Sequence, residues 1–294
     1  MTKIERGLRP RREWTATLRR MTSNAEPPDA ASVWRLYAAH AAIVFSGGPA
    51  PSAYATDRSF FVPSGAQHVD LNQAALFGAA TSSDAHEVLE RIQAAGVPVL
   101  LGCSNGVEGR VGAVLADAGF RWMPNRERLF WMPGAPEPAA HPAFEVRRVA
   151  TDADVAAMQA IFAEAHDYAP ELIGAMYREL LRSGDAASGW LAWDGDEFVS
   201  FAIVTQAQAS LGLWEVMTPV RHRRRGAART LVATALAAVA RTAGGAGRSI
   251  EQTLFWSSPA GQPLYESMGF RVADTVDVWT LGASEADLAA VGAS

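Results

Sequence analysis

At 294 residues the chain is long for one compact domain and suits two; with 49% of its residues apolar and 19% charged, it can bury an ordinary core and is not built to stay disordered. A net charge of −5 argues against a protein that works by coating nucleic acid, and no apolar run is long enough to span a bilayer or to form the core of a signal peptide. The single cysteine, Cys103, excludes an internal disulfide and reads as a buried, inert thiol in a reducing cytoplasm.

In chain order, residues 1–28 read as a flexible basic tail, with Arg6, Arg9, Arg11, Arg12, Arg19 and Arg20 and little apolar period; Met21 is an alternative native start to Met1. Asp29 then caps a helix from Ala30 to Phe45, which Gly47-Gly48-Pro49 ends. From Val69 the pattern runs strand (69–77), helix (84–94), strand (97–102), helix (111–118) and strand (128–132), so that 29–132 forms a first domain. Pro133 to Ala143, with four prolines and no apolar period, is a linker. A second domain, 144–294, opens with a strand (144–149), a helix to Glu164 with Thr151 and Asp154 at capping positions, and a helix over 170–182. Strands 189–193 and 198–206 follow, turned at Asp194-Gly195, then a strand over 211–218. The next helix carries Leu231, Val232, Leu236 and Val239 on one face, and a strand over 250–257 follows it.

The two halves repeat one another. GFRWMPNRERLFWM from Gly119 matches GFRVADTVDVWTL from Gly269, an offset of 269 − 119 = 150 positions, which at this length means a duplicated domain. The first copy is degenerate: between Phe77 and Glu87 stands GAATSSDAH, with no arginine–glycine run, and 265 − 150 = 115 sets Leu115 where the second copy has Tyr265. Its expected use is packing, or walling the substrate site.

That run, Arg223-Arg224-Arg225-Gly226-Ala227-Ala228, stands at the mouth of a helix, where unpaired N–H groups and aligned peptide dipoles favour an anion and small residues leave the backbone bare. A solvated charged face is the plain alternative. VMTPVRHRRRGAAR, from Val216, resembles motif A of the GCN5-related N-acetyltransferases (GNATs): Arg or Gln, two residues, Gly, one residue, then Gly or Ala. Strand 250–257 and then PAGQPLYESMGF, from Pro259, resemble that family's motif B and closing helix. The resemblance implies an α/β fold of two tandem GNAT-like domains. Each would be a mostly antiparallel sheet flanked by helices, with a V-shaped splay between strands 4 and 5 where acetyl-CoA lies as co-substrate. It implies that backbone amides of Arg224, Arg225, Gly226, Ala227, Ala228 and Arg229, beside Arg223, hold the diphosphate. Val216, Met217 and Thr218 would meet the pantetheine arm, Ser258 would touch the cofactor or cap a helix, and Tyr265 would protonate the departing thiolate or pack beside Phe270.

No metal is implied. The base is open between Glu215, which points away from the cofactor unless a bulge re-aims it, and Glu251, which shares a strand face with Thr253. His166 and Tyr168 fall in a region that walls the acceptor in the family. The expected activity is acetyl-CoA-dependent N-acetylation of a small-molecule amine by direct attack, without nucleic acid or membrane; the alternative is a silent acyl-CoA-binding module. A homodimer stays open.

Overall fold

The computed structural model describes residues 26–283 apart from 49, 140, 167–170, 172, 173 and 179–185; the basic tail therefore lies outside the described residues, as does much of the helix expected over 170–182, of which 174–178 is helical. The first half runs α1 (Ala30–Val44), β1 (Tyr54–Ala55), β2 (Ser59–Pro63), β3 (Asn72–Leu76), α2 (Ser82–Ala95), β4 (Val99–Ser104), α3 (Glu108–Asp117) and β5 (Arg121–Pro133). The second runs β6 (Glu145–Arg148), α4 (Asp152–His166), β7 (Ala187–Asp194), β8 (Glu197–Ala207), β9 (Ser210–Met217), α5 (Ala227–Gly245), β10 (Gln252–Ser257), α6 (Gln262–Ser267) and β11 (Arg271–Leu281). Among the described residues no helix is long and apolar enough to cross a membrane.

The expected caps form. Asp29 accepts from the Ser32 N–H at 2.9 Å to start α1, and Thr151 and Asp154 exchange bonds at 2.8 and 3.1 Å to start α4. The Asp194-Gly195 hairpin joins β7 to β8, with Gly195 at φ +60°, where a side chain would be strained. The stretch from Val69 differs: Val69–Leu71 is a 3₁₀ turn, and the strand starts only at Asn72. Asn72 donates to the carbonyls of Ala66, His68 and Pro98 at 2.8–2.9 Å, and these bonds hold the chain in a turn rather than a ladder.

The strands make one eleven-stranded sheet in the order β1-β2-β3-β4-β11-β5-β10-β9-β8-β7-β6. The closing strands are exchanged. β5, from the first half, lies beside β10 of the second (Gln252 opposite Pro133 through Ser257 opposite Arg128), while β11 lies beside β4 of the first (Val276 opposite Ser104 through Leu281 opposite Val99). β5 and β11 also pair with one another, antiparallel, from Arg271 opposite Trp131 to Thr280 opposite Arg121. The repeated segments are thus the two central strands, lying end for end, and the sheet crosses the sequence boundary at residue 132. This also explains why β5 starts seven residues before the expected Arg128. Its polar first part finds ladder partners in β11, and Arg126 meets Asp277 at 3.4 Å.

Helix α1 lies across the seam. The Trp34 indole donates to Asp274 at 2.8 Å, and His40 sits between the hydroxyls of Thr205 (2.8 Å) and Ser210 (2.9 Å), its pKa lowered to about 3 by burial alone, so it stays neutral. Gly212 is required there, because a Cβ would stand 2.8 Å from the His40 ring. On the opposite face α2 and α3 bury Val88, Ile92 and Leu115 under the first half, and α5 buries Leu231, Val232 and Leu236 under the second.

Candidate active site

β9 and β10 run parallel but stay hydrogen-bonded for only three residue pairs, Gln252 opposite Ser210 through Leu254 opposite Gly212. Beyond Leu254 they diverge, β9 to Met217 and β10 to Ser257, and a cleft of about 570 Å³ opens between them. The V-shaped splay is therefore present in the second half.

A bulge decides which way Glu215 faces. Between β8 and β9 the register jumps from Phe201–Met217 to Ile203–Trp214, so β9 holds one extra residue, and Glu215 takes the left-handed conformation at φ +52°. Strict alternation from Val216 would aim it away; the bulge brings it to the cleft wall. There the Tyr177 hydroxyl donates to its Oε1 at 3.1 Å. Burial first, then the charge of Asp70, raise the Glu215 carboxyl to about 7, a value suited to accepting a proton near neutrality.

The start of α5 forms the mouth of the cleft. Arg224 at φ +65° and Gly226 at φ +93° curl the chain, and no N–H from Arg224 to Arg229 has an acceptor among the described residues. Gly226 is needed for its backbone angle: a Cβ would face the His141 ring at 3.7 Å, not the cleft. The arginine run divides. Arg223 lines the cleft with its Nε donating to the Thr218 carbonyl at 3.0 Å, and Arg224 is exposed. The side chains of Arg225 and Arg229 are engaged elsewhere: Arg225 pairs with Asp194, and Arg229 bonds the Ser267 hydroxyl and carbonyl at the end of α6. Those two positions offer only their amides. Ala228 leaves the cleft mouth bare, whereas Ala227 faces the core.

Val216, Met217 and Thr218 line the β9 wall; Ser200 donates to the Met217 carbonyl and bonds the Thr218 hydroxyl, both at 2.8 Å. On the opposite wall, Ser258 holds the turn into α6, its carbonyl accepting from Ser257 Oγ and the Gly261 N–H. Tyr265, 6% exposed, packs with its ring centroid 4.3 Å from that of Phe255, and its hydroxyl bonds no described residue. Burial holds its pKa well above the ordinary phenol value, so the hydroxyl keeps its proton near neutrality. Packing beside Phe270, at 6.2 Å, and facing the cleft hold together.

Glu251 is a correction. It stands exposed where β9 and β10 are still joined, its N–H donating to Ala209, and it does not line the cleft; alternation gave its face but not its depth. Thr253, on the same strand, is buried and donates to the Gly134 carbonyl at 2.6 Å. His166 ends α4 with its side chain outside the described residues, as is Tyr168.

The deep end of the cleft was not foreseen. The first half walls it with Tyr37, Asp70, Gln73, Leu100 and Glu127, opposite Trp214 and Trp256. Glu127, 8% exposed, comes from the exchanged strand β5, one residue past the end of its ladder with β10. Burial first, then the charge of Asp70, raise its carboxyl to about 8. In sequence Arg126-Glu127-Arg128 reads as a solvated charge run. The signal is the two-residue period, which aligns Glu127 with buried Leu129 and Trp131 while Arg126 and Arg128 reach Asp277 and Glu266 on the other face.

Residues 185–272 match the family model described as an acetyltransferase (GNAT) domain. No curated protein matches the chain. Among solved structures, a GCN5-related N-acetyltransferase from Kribbella flavida superposes with a TM-score of 0.56 at 14% identity, covering 87% of this chain and 96% of that one. A tandem GNAT protein from the clavulanic acid biosynthesis pathway gives 0.54 at 13% identity over 88% of this chain and 98% of the other. A GCN5-related N-acetyltransferase from Sphaerobacter thermophilus gives 0.54 at 12% identity over 77% and 80%. At such identities the likeness is one of fold, and it extends over both halves. Residues 185–272 thus match a GNAT acetyltransferase domain, and the splayed strands and the fold of both halves are shared with tandem and GCN5-related N-acetyltransferase structures.

Proposed function

We propose that the protein transfers an acetyl group from acetyl-CoA to the amine of a small molecule by direct attack. The observation that supports this best is Glu215, turned by the β9 bulge into a cleft whose mouth is a ring of unpaired amides and whose far wall carries Tyr265. Those amides fit a diphosphate, since unpaired N–H groups at a helix start favour an anion and Arg223 adds charge beside them. Bound there, acetyl-CoA supplies an acyl carbon on a thiol leaving group. The β9 backbone at Val216 to Thr218 holds the arm, with an N–H near Thr218 facing the thioester oxygen.

Glu215 takes the proton that the attacking nitrogen loses, either directly or through a water. As the C–N bond forms and the C–S bond breaks, Tyr265 gives its proton to the departing sulfur and recovers one from solvent. Domain limits of 29–132 and 144–294 joined by 133–143 remain a useful division of the sequence, with the closing strands shared.

The experiment is an amine-library screen with acetyl-CoA, reading release of free CoA thiol and mass gain on the amine. Thiol release that depends on the amine supports transfer; tight CoA binding with no release under any amine sinks it in favour of a silent module.

A further inference from the structure

The deep end of the cleft holds more carboxyl groups than removing one proton requires. Glu215 is committed to that proton. Glu127 stands apart from it on an exchanged strand, more than nine-tenths buried, and no cation of a described residue pairs with it while it faces the cleft. The buried Trp256 indole N–H faces its carboxyl, a neutral donor that brings no charge. A buried carboxyl is costly unless something pairs it, so its presence points to a ligand that brings the missing charge. The walls between the two glutamates are aromatic: the Tyr37 ring centroid lies 4.8 Å from that of Trp214, tilted, and 6.0 Å from that of Trp256, edge-on, and aromatic rings favour cations over their faces.

Resting on the transferase reading, we propose that the acceptor is a small molecule with two cationic amines, one presented to Glu215 for acetylation and the other held by Glu127. A monoamine would satisfy Glu215 and leave Glu127 buried without a counter-charge. A diamine fills both positions, and after the reacting nitrogen has lost its proton to Glu215 the remote ammonium still neutralises Glu127. The first half thereby acts on the chemistry of the second: its exchanged strand carries the residue that selects the substrate.

The test compares α,ω-diaminoalkanes of three to six carbons with the monoamines of equal length. It reads both turnover with acetyl-CoA and calorimetric binding to the protein–CoA complex. At least one diamine should exceed its monoamine by about 30-fold or more in kcat/KM and in affinity, the effect of a buried charge pair gained or lost. Glu127→Gln should bring the diamine down to the monoamine's value, mostly through KM, and be partly relieved by Glu127→Asp. If no diamine surpasses its monoamine by more than about 3-fold, or if Glu127→Gln lowers both alike, the proposal fails, and turnover of monoamines would leave the transferase reading intact. Selective diamine binding without turnover would have the opposite meaning, overturning the transferase reading and keeping the site.

Discussion

Each half of the molecule contains a parallel strand pair followed in space by the start of a helix, and the two versions differ in almost every detail that matters to a ligand. In the first half β3 and β4 stay zipped from Gln73 opposite Leu100 to Leu76 opposite Cys103, through to the end of β3. In the second, β9 and β10 part after three pairs. The start of α2 is closed by its own side chains: Asp84 accepts from the Thr81 N–H at 2.8 Å and is joined by Arg58 at 3.1 Å, while Arg110 takes the carbonyls of Gly78 and Ala80. The start of α5 has glycine at the cap and no carboxylate in its first turn. A carboxylate at a helix start is stabilising because it does what a phosphate would do. The first half has kept that stability for its fold; the second leaves the amides unpaired and so remains able to bind.

This contrast can be broken deliberately. The largest effects should come from the groups proposed to react, which the first half lacks. Tyr265→Phe and Glu215→Gln should each lower kcat by about 10²–10⁴-fold with CoA affinity nearly unchanged, measured by thiol release and calorimetry. The Glu215 variant should also lose the rise in kcat/KM as pH increases through about 7, since in the wild type the carboxyl must be ionised to accept a proton. Unchanged turnover would remove the residue from the reaction. Next, Arg229→Asp gives α5 the third-position carboxylate that Asp84 gives α2; CoA affinity should fall by about 10²-fold or more, well beyond the loss in Arg229→Ala, and equal losses in the two variants would refute the closing role.

A milder disturbance tests the exchange of strands. Cutting the linker between 134 and 139 should leave two pieces that co-migrate natively and separate only in denaturant, because β5 and β11 each belong to the other half's sheet. Release of folded halves would contradict the pairing.

The smallest effect is on stability. Glu127 has its carboxyl raised by burial from 4.5 to about 8, so the stabilising contribution is complete below about 4.5 and lost as pH rises through 8. Glu127→Gln should therefore gain stability over wild type as pH rises from 4 to 9, with little difference at pH 4. A difference that does not change with pH would place the carboxyl in water.

Much of this was legible in the sequence, and the illegible parts share a cause. Capping residues, the Asp194-Gly195 turn and the glycine-softened helix start are local signals, and they appeared where expected. The loss of the first half's turn was visible in GAATSSDAH and Leu115, although not that Asp84 would close it. What sequence could not give is decided between distant segments. Which strand lies beside β10 depends on a choice between two repeats that share the Gly-Phe-Arg start, and GFRW and GFRV carry no local mark of exchange. The direction of Glu215 hung on one extra residue in β9, a bulge that no composition signals, and the depth of Glu251 on where two strands part. Glu127 was hidden by its arginine neighbours, which face the other way.

The exchange of β5 and β11 also sets a timetable. As the chain leaves the ribosome, β5 appears long before its neighbours β10 and β11, and the sheet of the first half cannot close until residues 271–281 have emerged. The half that is made first is therefore finished last, and a chain that stops short of β11 leaves β4 and β5 without the strand that joins them.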